Sequence, residues 1–233
     1  MITIHMWNSN AWAWMDFEIP GLLQMPDTWE LGILGILLEV GNKTRYICVI
    51  LDENLKNLEE IFPEYSLYNP ELDIELILKE VRAFDPNEEI RHIFHWSSAD
   101  SKYFKHYFGD FWDGKSLFSG GKLPSFGNSK IHLINALPSC KSAGNRNKLG
   151  FERPHTLEKY LDYFGYKSPE GDIASNTIRE LKSRWTNSSE INDYDKKLAY
   201  KLLEYNYHDC RGLRYIMRKF EGLPDDGDNE FEL

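Results

Sequence analysis

Cysteine is scarce in this chain, and basic charge is in deficit. The 233 residues include three cysteines, Cys48, Cys140 and Cys210, far apart and without a Cys-x-x-Cys pair. That spacing excludes a disulfide framework and a zinc knuckle, and it points to an intracellular, reducing compartment. Lys and Arg number 27 against 37 Asp and Glu, a formal charge of -10. A non-specific nucleic-acid coat protein, which binds by neutralising phosphates, is thereby disfavoured. A nuclease is not, because its metal site is itself built from acids. No apolar run has the length of a membrane span, and no basic segment leads into an apolar one as in a signal peptide. Internal repeats and linkers are also missing. The simplest organisation is one domain over residues 1–223, followed by an acidic tail over 224–233, PDDGDNEFEL, which is expected to fray.

What the chain does have is apolar surface to bury: 42% of its residues are hydrophobic and 14% aromatic. One stretch carries apolar and acidic residues together. Residues 12–19 read as a buried β-strand, in which side chains alternate faces. Asp16 and Glu18 then share a face, and Met15, Phe17 and Ile19 take the other. Two carboxylates on one face of an apolar strand repel each other and lose hydration. A divalent cation relieves both costs, and oxygen donors suit Mg²⁺ or Mn²⁺. The plainer alternative is an edge strand whose polar face meets water.

Further strands are expected at 31–40 and 44–51, joined by a tight Gly41-Asn42 hairpin. Residues 52–69 read as a connection with a short helical piece. Pro70 to Phe84 reads as a helix capped by Asn69. Ile90 to Trp96 reads as a strand, and a helix starts near Ala99 under a Ser97 or Ser98 cap. Asp100 falls in its first turn, where the helix dipole alone would explain an acid. Gly114 to Arg153 carries seven basic residues against one acid. This segment is either a solvated loop or a place where phosphates are held. Within it, Ile131 to Leu137 reads as a fifth strand ended by Pro138. Helices follow at His155–Phe164, stopped by Gly165, at Asp172–Trp185, capped by Asp172 or Ser175, and at Asp195–Phe220. His92 and His95, alternating with apolar residues, read as core histidines. Trp96, Tyr103 and Phe104 read as core more readily than as base-stacking platforms. Cys210 reads as a small buried side chain.

In the last helix Tyr205 and Asp209 stand at i and i+4, neighbours on one face. Tyr205 alone would read as a packed aromatic. An Asp-x-Glu strand (Asp16, Glu18), a mid-chain helical Asp100 and a late Tyr-x-x-x-Asp (Tyr205, Asp209) come in that order. This pattern resembles the DEDD superfamily of 3′–5′ exonucleases in its tyrosine variant. The histidine variant would need His five residues before Asp209, and that residue is Glu204.

The resemblance implies an α/β, ribonuclease H-like fold, with a mixed five-stranded sheet flanked by helices. It also implies hydrolysis of terminal phosphodiester bonds of DNA or RNA with two Mg²⁺ or Mn²⁺ ions, about 4 Å apart in such sites. The substrate would be the 3′ end of a single-stranded nucleic acid, and no membrane would be involved. Asp16 would bridge both ions, Glu18 and Asp209 would complete the side nearer the attacking water, and Asp100 would hold the second ion. Tyr205 would orient the water, since a phenol is a poor base at neutral pH. Two other readings stand beside this one. The chain would be a catalytically weak nuclease-fold module that binds nucleic acid or a protein partner, or an internally cutting nuclease of the same fold.

Overall fold

The computed structural model describes residues 11–20, 32–41, 43–71, 79–80, 92–96, 100, 103, 125–126, 129–130, 132–138, 140–141, 155–167, 169, 173–187 and 190–221. The sheet begins with three antiparallel strands: β1 (Ala11–Glu18), β2 (Ile33–Val40) and β3 (Lys43–Ile50). Each lies within two residues of its expected position. Gly41, at φ +61, makes the turn between β2 and β3, a conformation that residues with a side chain rarely adopt.

β4 (Ser66–Tyr68) runs parallel to the end of β3. β5 (His92–His95) runs parallel to β1, and β8 (His132–Asn135) runs parallel to β5. A small separate hairpin pairs β6 (Ser125–Phe126) with β7 (Ser129–Lys130). The main sheet has the order β4-β3-β2-β1-β5-β8. An antiparallel β3-β2-β1 unit followed by parallel strands on the far side of β1, flanked by helices, is the ribonuclease H-like topology.

β1 is therefore a central strand, and the edge-strand alternative for Asp16 and Glu18 fails. All eight residues of β2 are buried, and on β1 Met15 and Phe17 are buried on the face opposite the acids. The face opposite the acids is thus closed to water, while Asp16 on the acid face and Asp209 above it stay partly exposed.

The strands differ from the sequence expectation in three details. The β6–β7 hairpin was not expected, and the main sheet gains a sixth strand, β4, inside the 52–69 connection. Its three residues are too few for a visible alternation. It is held by its surroundings: Cys48 N donates to Tyr65 O (2.6 Å), Asn69 N to Ile50 O (3.0 Å) and Tyr68 N to Glu59 Oε1 (3.1 Å). The strand expected to run to Leu137 stops at Asn135, whose Oδ1 accepts from Leu137 N (3.1 Å) and turns the chain into helical Ala136–Pro138.

The described helices are α1 (Asn57–Ile61), α2 (Leu157–Tyr163), α3 (Ile173–Asn187) and α4 (Asp193–Glu221). Thr156 caps α2, and Gly165, at φ +75, follows its end. α4 starts two residues before the expected Asp195, because Asn192 Oδ1 accepts from the backbone N–H of Tyr194 (2.9 Å) and Asp195 (3.0 Å). Asp195, buried, pairs with Arg184 of α3. Ser175 does not cap α3: its Oγ donates to Ile19 O (2.9 Å) and ties α3 to the end of β1.

α4 packs across β1 and β2 through Leu202, Leu203, Cys210, Leu213 and Met217, all buried. Cys210 thus lies in the core as expected, and all three cysteines are free and buried. Trp96 and His95 are core residues too, Trp96 meeting Tyr160 edge-on with ring centroids 5.4 Å apart. No helix among the described residues is long and apolar enough to cross a membrane. Most of the expected Pro70–Phe84 helix, most of the basic Gly114–Arg153 segment, Phe104, the His92 side chain and the 224–233 tail lie outside the described residues.

Candidate metal centre

The sheet register sets the site. Asp16 sits opposite Gly35, which sits opposite Cys48; two residues along, Trp14 sits opposite Leu37 and Leu37 opposite Tyr46. Directly opposed residues share a face. Glu18, Asp16 and Trp14 therefore face α4, as do Ile33, Gly35 and Leu37. α4 brings Tyr205, Asn206 and Asp209 over that face.

One carboxylate oxygen from each of Asp16, Glu18 and Asp209 falls in a group whose members all lie within 4.8 Å of one another. The residues come from positions 16, 18 and 209, on a central strand and the last helix. Glu18 is only 8% exposed, and its Oε1 is buried with no hydrogen-bond partner. A buried, unsatisfied carboxylate oxygen costs several kcal/mol when ionised.

The carboxyl groups respond as burial and repulsion require. Asp16 is pushed well up from the usual carboxylate range by burial first, then by the charges of Glu18, Asp209 and Asp100. Glu18 is pushed up by burial and then by Asp209. Asp209 is pushed up to about 7 by burial, against a hydrogen bond from Tyr205 that favours its charged form. Among the described residues, no Lys or Arg forms an ion pair with Asp16, Glu18 or Asp209.

Asp100 is helical, buried, and immediately beyond β5. Its charge raises all three carboxyls, yet it stands outside the close group. Its own near neighbour is His95, with Nδ1 at 3.9 Å from Asp100 Oδ2. Tyr205 is half-buried, one helical turn before Asp209, and its phenol favours the charged form of that carboxyl. Burial and the surrounding carboxylates push that phenol further up, so it is a proton donor and not a base. His208, adjacent to Asp209, is directed away, with its Nδ1 3.0 Å from Tyr166 Oη. Tyr103 packs on Phe17, ring centroids 5.4 Å apart.

The donor set is three carboxyl groups, Glu18 buried and Asp16 and Asp209 partly so. That suits a hard divalent cation and does not suit zinc, which favours Cys and His. The orphaned Glu18 oxygen is the sharpest sign of fit, since a bound cation supplies the partner it lacks.

Two neighbours of the centre escaped the sequence reading. Asn206, fully buried, donates from Nδ2 to Asp16 O (3.2 Å) and Asp16 Oδ2 (3.3 Å). Tyr46 Oη donates to Asn206 Oδ1 (2.7 Å). Asn206 reads in sequence as a polar residue between two tyrosines, and no periodicity links it to Tyr46, 160 positions earlier. Compared with known proteins, the chain matches no family model and none of the curated proteins searched.

Proposed function

We propose that the chain is a metal-dependent 3′–5′ exonuclease of the DEDD type, acting on single-stranded DNA or RNA ends with Mg²⁺ or Mn²⁺ in a reducing, intracellular compartment. The observation that carries the reading is the partnerless, buried Glu18 Oε1 beside Asp16 and Asp209 on a ribonuclease H-like sheet. A structural acid in such a place has no reason to lack a donor. Asp16, Glu18 and Asp209 would hold one divalent cation, and Asp100 would serve a second. Bound there, such ions supply an activated water and charge stabilisation for the leaving oxygen.

The chain's own residues supply the rest. Tyr205, holding its proton, stands one helical turn before Asp209 and would orient the attacking water. The placement of Tyr205 one helical turn before Asp209 favours the exonuclease reading over that of an internally cutting relative, because the tyrosine motif belongs to the former.

Purified protein with Mg²⁺ or Mn²⁺ is expected to shorten an end-labelled single strand from its 3′ end and to leave a circular single strand intact. Asp16→Ala and Asp209→Ala are each expected to lower the rate by more than about 10³-fold, the loss of several kcal/mol of transition-state stabilisation. Wild-type rates in both variants would exclude the site, and cleavage of the circle would shift the activity to internal cutting. Oligonucleotide binding without any metal-dependent cleavage would favour the binding-module reading.

A further inference from the structure

We propose that Asn206 is a positioning residue for Asp16, held in its working orientation by Tyr46 and admitted to the site by Gly35. The inference rests on the metal-site reading above and deepens it.

A carboxamide has two ends, and a buried one is useful only if it cannot turn round. Asn206 Oδ1 accepts from Tyr46 Oη at 2.7 Å. Burial pushes the Tyr46 phenol well up, so its proton stays in place to be donated. With Oδ1 so engaged, the amide N–H groups face β1, where they reach Asp16 O at 3.2 Å and Asp16 Oδ2 at 3.3 Å. The reversed amide would set its oxygen against a carboxylate oxygen and leave the phenol proton facing an NH₂ group. Tyr46 thus selects the amide orientation, and the amide selects the Asp16 rotamer. One Asp16 oxygen and the β1 backbone beside it are fixed before any cation arrives. Partners of this kind, bound to a ligand and not to the metal, set ligand orientation and affinity.

The space for the amide comes from the neighbouring strand. Gly35 is the direct cross-strand partner of Asp16. A Cβ built on Gly35 would lie 1.7 Å from Asn206 Oδ1, so the amide occupies the volume of the side chain that Gly35 does not have. Any other residue at 35 displaces it. Three residues on three elements, none adjacent in sequence, converge on one carboxylate.

The alternative is that Asn206 merely satisfies a buried phenol. Two measurements without nucleic acid separate the roles: Mn²⁺ affinity by calorimetry, and melting in EDTA. A structural asparagine changes the melting alone. A positioning one changes Mn²⁺ affinity at temperatures where the variant is fully folded. Asn206→Leu keeps the branched shape and removes all three bonds, and is expected to bind Mn²⁺ about 10–100-fold more weakly. Tyr46→Phe keeps the ring and is expected to lose less. The double variant is expected to be no weaker than Asn206→Leu, because Tyr46 acts through the amide.

Mn²⁺ affinities within twofold of wild type in both single variants overturn the proposal, whatever their melting temperatures. Should Asn206→Leu fail to fold, Tyr46→Phe alone decides, and an unchanged affinity there overturns it. A wild-type chain that binds no Mn²⁺ overturns the metal-site reading first and this inference with it. Wild-type binding with unaffected variants overturns only the role of Asn206.

Discussion

Two buried acidic centres lie on the same face of the same sheet, and they are built in opposite ways. Glu39, on β2, is 3% exposed and fully answered. Its carboxylate accepts from Arg214 Nε (2.8 Å) and Nη2 (2.9 Å), from Trp14 Nε1 (3.1 Å) and from Arg218. The Asp16, Glu18 and Asp209 carboxylates lie one to two turns earlier along α4, and their partners are neutral amide and phenol groups. One helix thus brings two arginines to a single acid at Glu39 and a further acid to a pair of acids at the centre. The chain neutralises a buried carboxylate with its own cations where only structure is at stake. At the centre no described Lys or Arg does so, which is the arrangement that a site for a cation from solution requires.

Removal of the acid sharpens that contrast most. Glu39→Ala is expected to destabilise by about 3–5 kcal/mol, because it leaves buried guanidinium charge uncompensated. Asp16→Asn, measured by urea unfolding in EDTA, is expected to cost nothing or to stabilise. Equal losses in the two variants would erase the distinction between the centres.

The pH dependence separates them next. Asp209 has a folded value of about 7 against 3.8 for the free group, and Asp16 and Glu18 also move upward. The folded state therefore keeps protons that the unfolded chain releases, so stability falls as pH rises from about 4 through 7. The loss in EDTA is expected to be on the order of 3 kcal/mol, read by chemical denaturation at pH 5 and pH 8. Asp209→Asn should flatten that slope.

Mn²⁺ is expected to reverse the trend. At a concentration 100 times its dissociation constant, a cation bound only by the folded state adds about 2.7 kcal/mol. That gain grows with pH, because the ion competes with the same protons. A melting temperature indifferent to Mn²⁺ at pH 8 would mean that the acids answer one another by sharing protons and hold no ion.

The two centres also differ in how far the sequence disclosed them. Asp16 and Glu18 were legible because a strand has period two, and Tyr205 with Asp209 because a helix returns to the same face after four residues. Both signals are local. The antiparallel run of β1, β2 and β3 was legible in outline, from the three apolar runs and the Gly41 turn; the central place of β1 rests on its parallel pairing with β5, which those runs do not show. Glu39, Arg214 and Arg218 were not, since a buried ion pair between residues 175 positions apart leaves no mark on either local pattern. Asn206 was hidden for the same reason. Its role depends on Tyr46, on the missing side chain of Gly35, and on a register that only the paired strands define. β4 was hidden because three residues held by neighbours carry no period of their own. Asp100 stands between these cases: the strand before it and the helix it opens were legible, but its distance from the other acids was not.

The smallest effect is the most discriminating. Glu18→Gln replaces the orphaned oxygen, or its twin, with an amide that donates to the adjacent Asp16 or Asp209 carboxylate. In EDTA at pH 8 this removes one buried charge and supplies a donor where acids face acids. The variant is expected to be more stable than wild type by about 1 kcal/mol. The same substitution takes a charged ligand from the cation, so the Mn²⁺-dependent gain should shrink or vanish and strand shortening should fail. A stabilised chain that no longer responds to Mn²⁺ identifies an acid kept for an ion at the expense of the fold. A destabilised one would place Glu18 with Glu39, as an acid that the folded chain needs for its own sake.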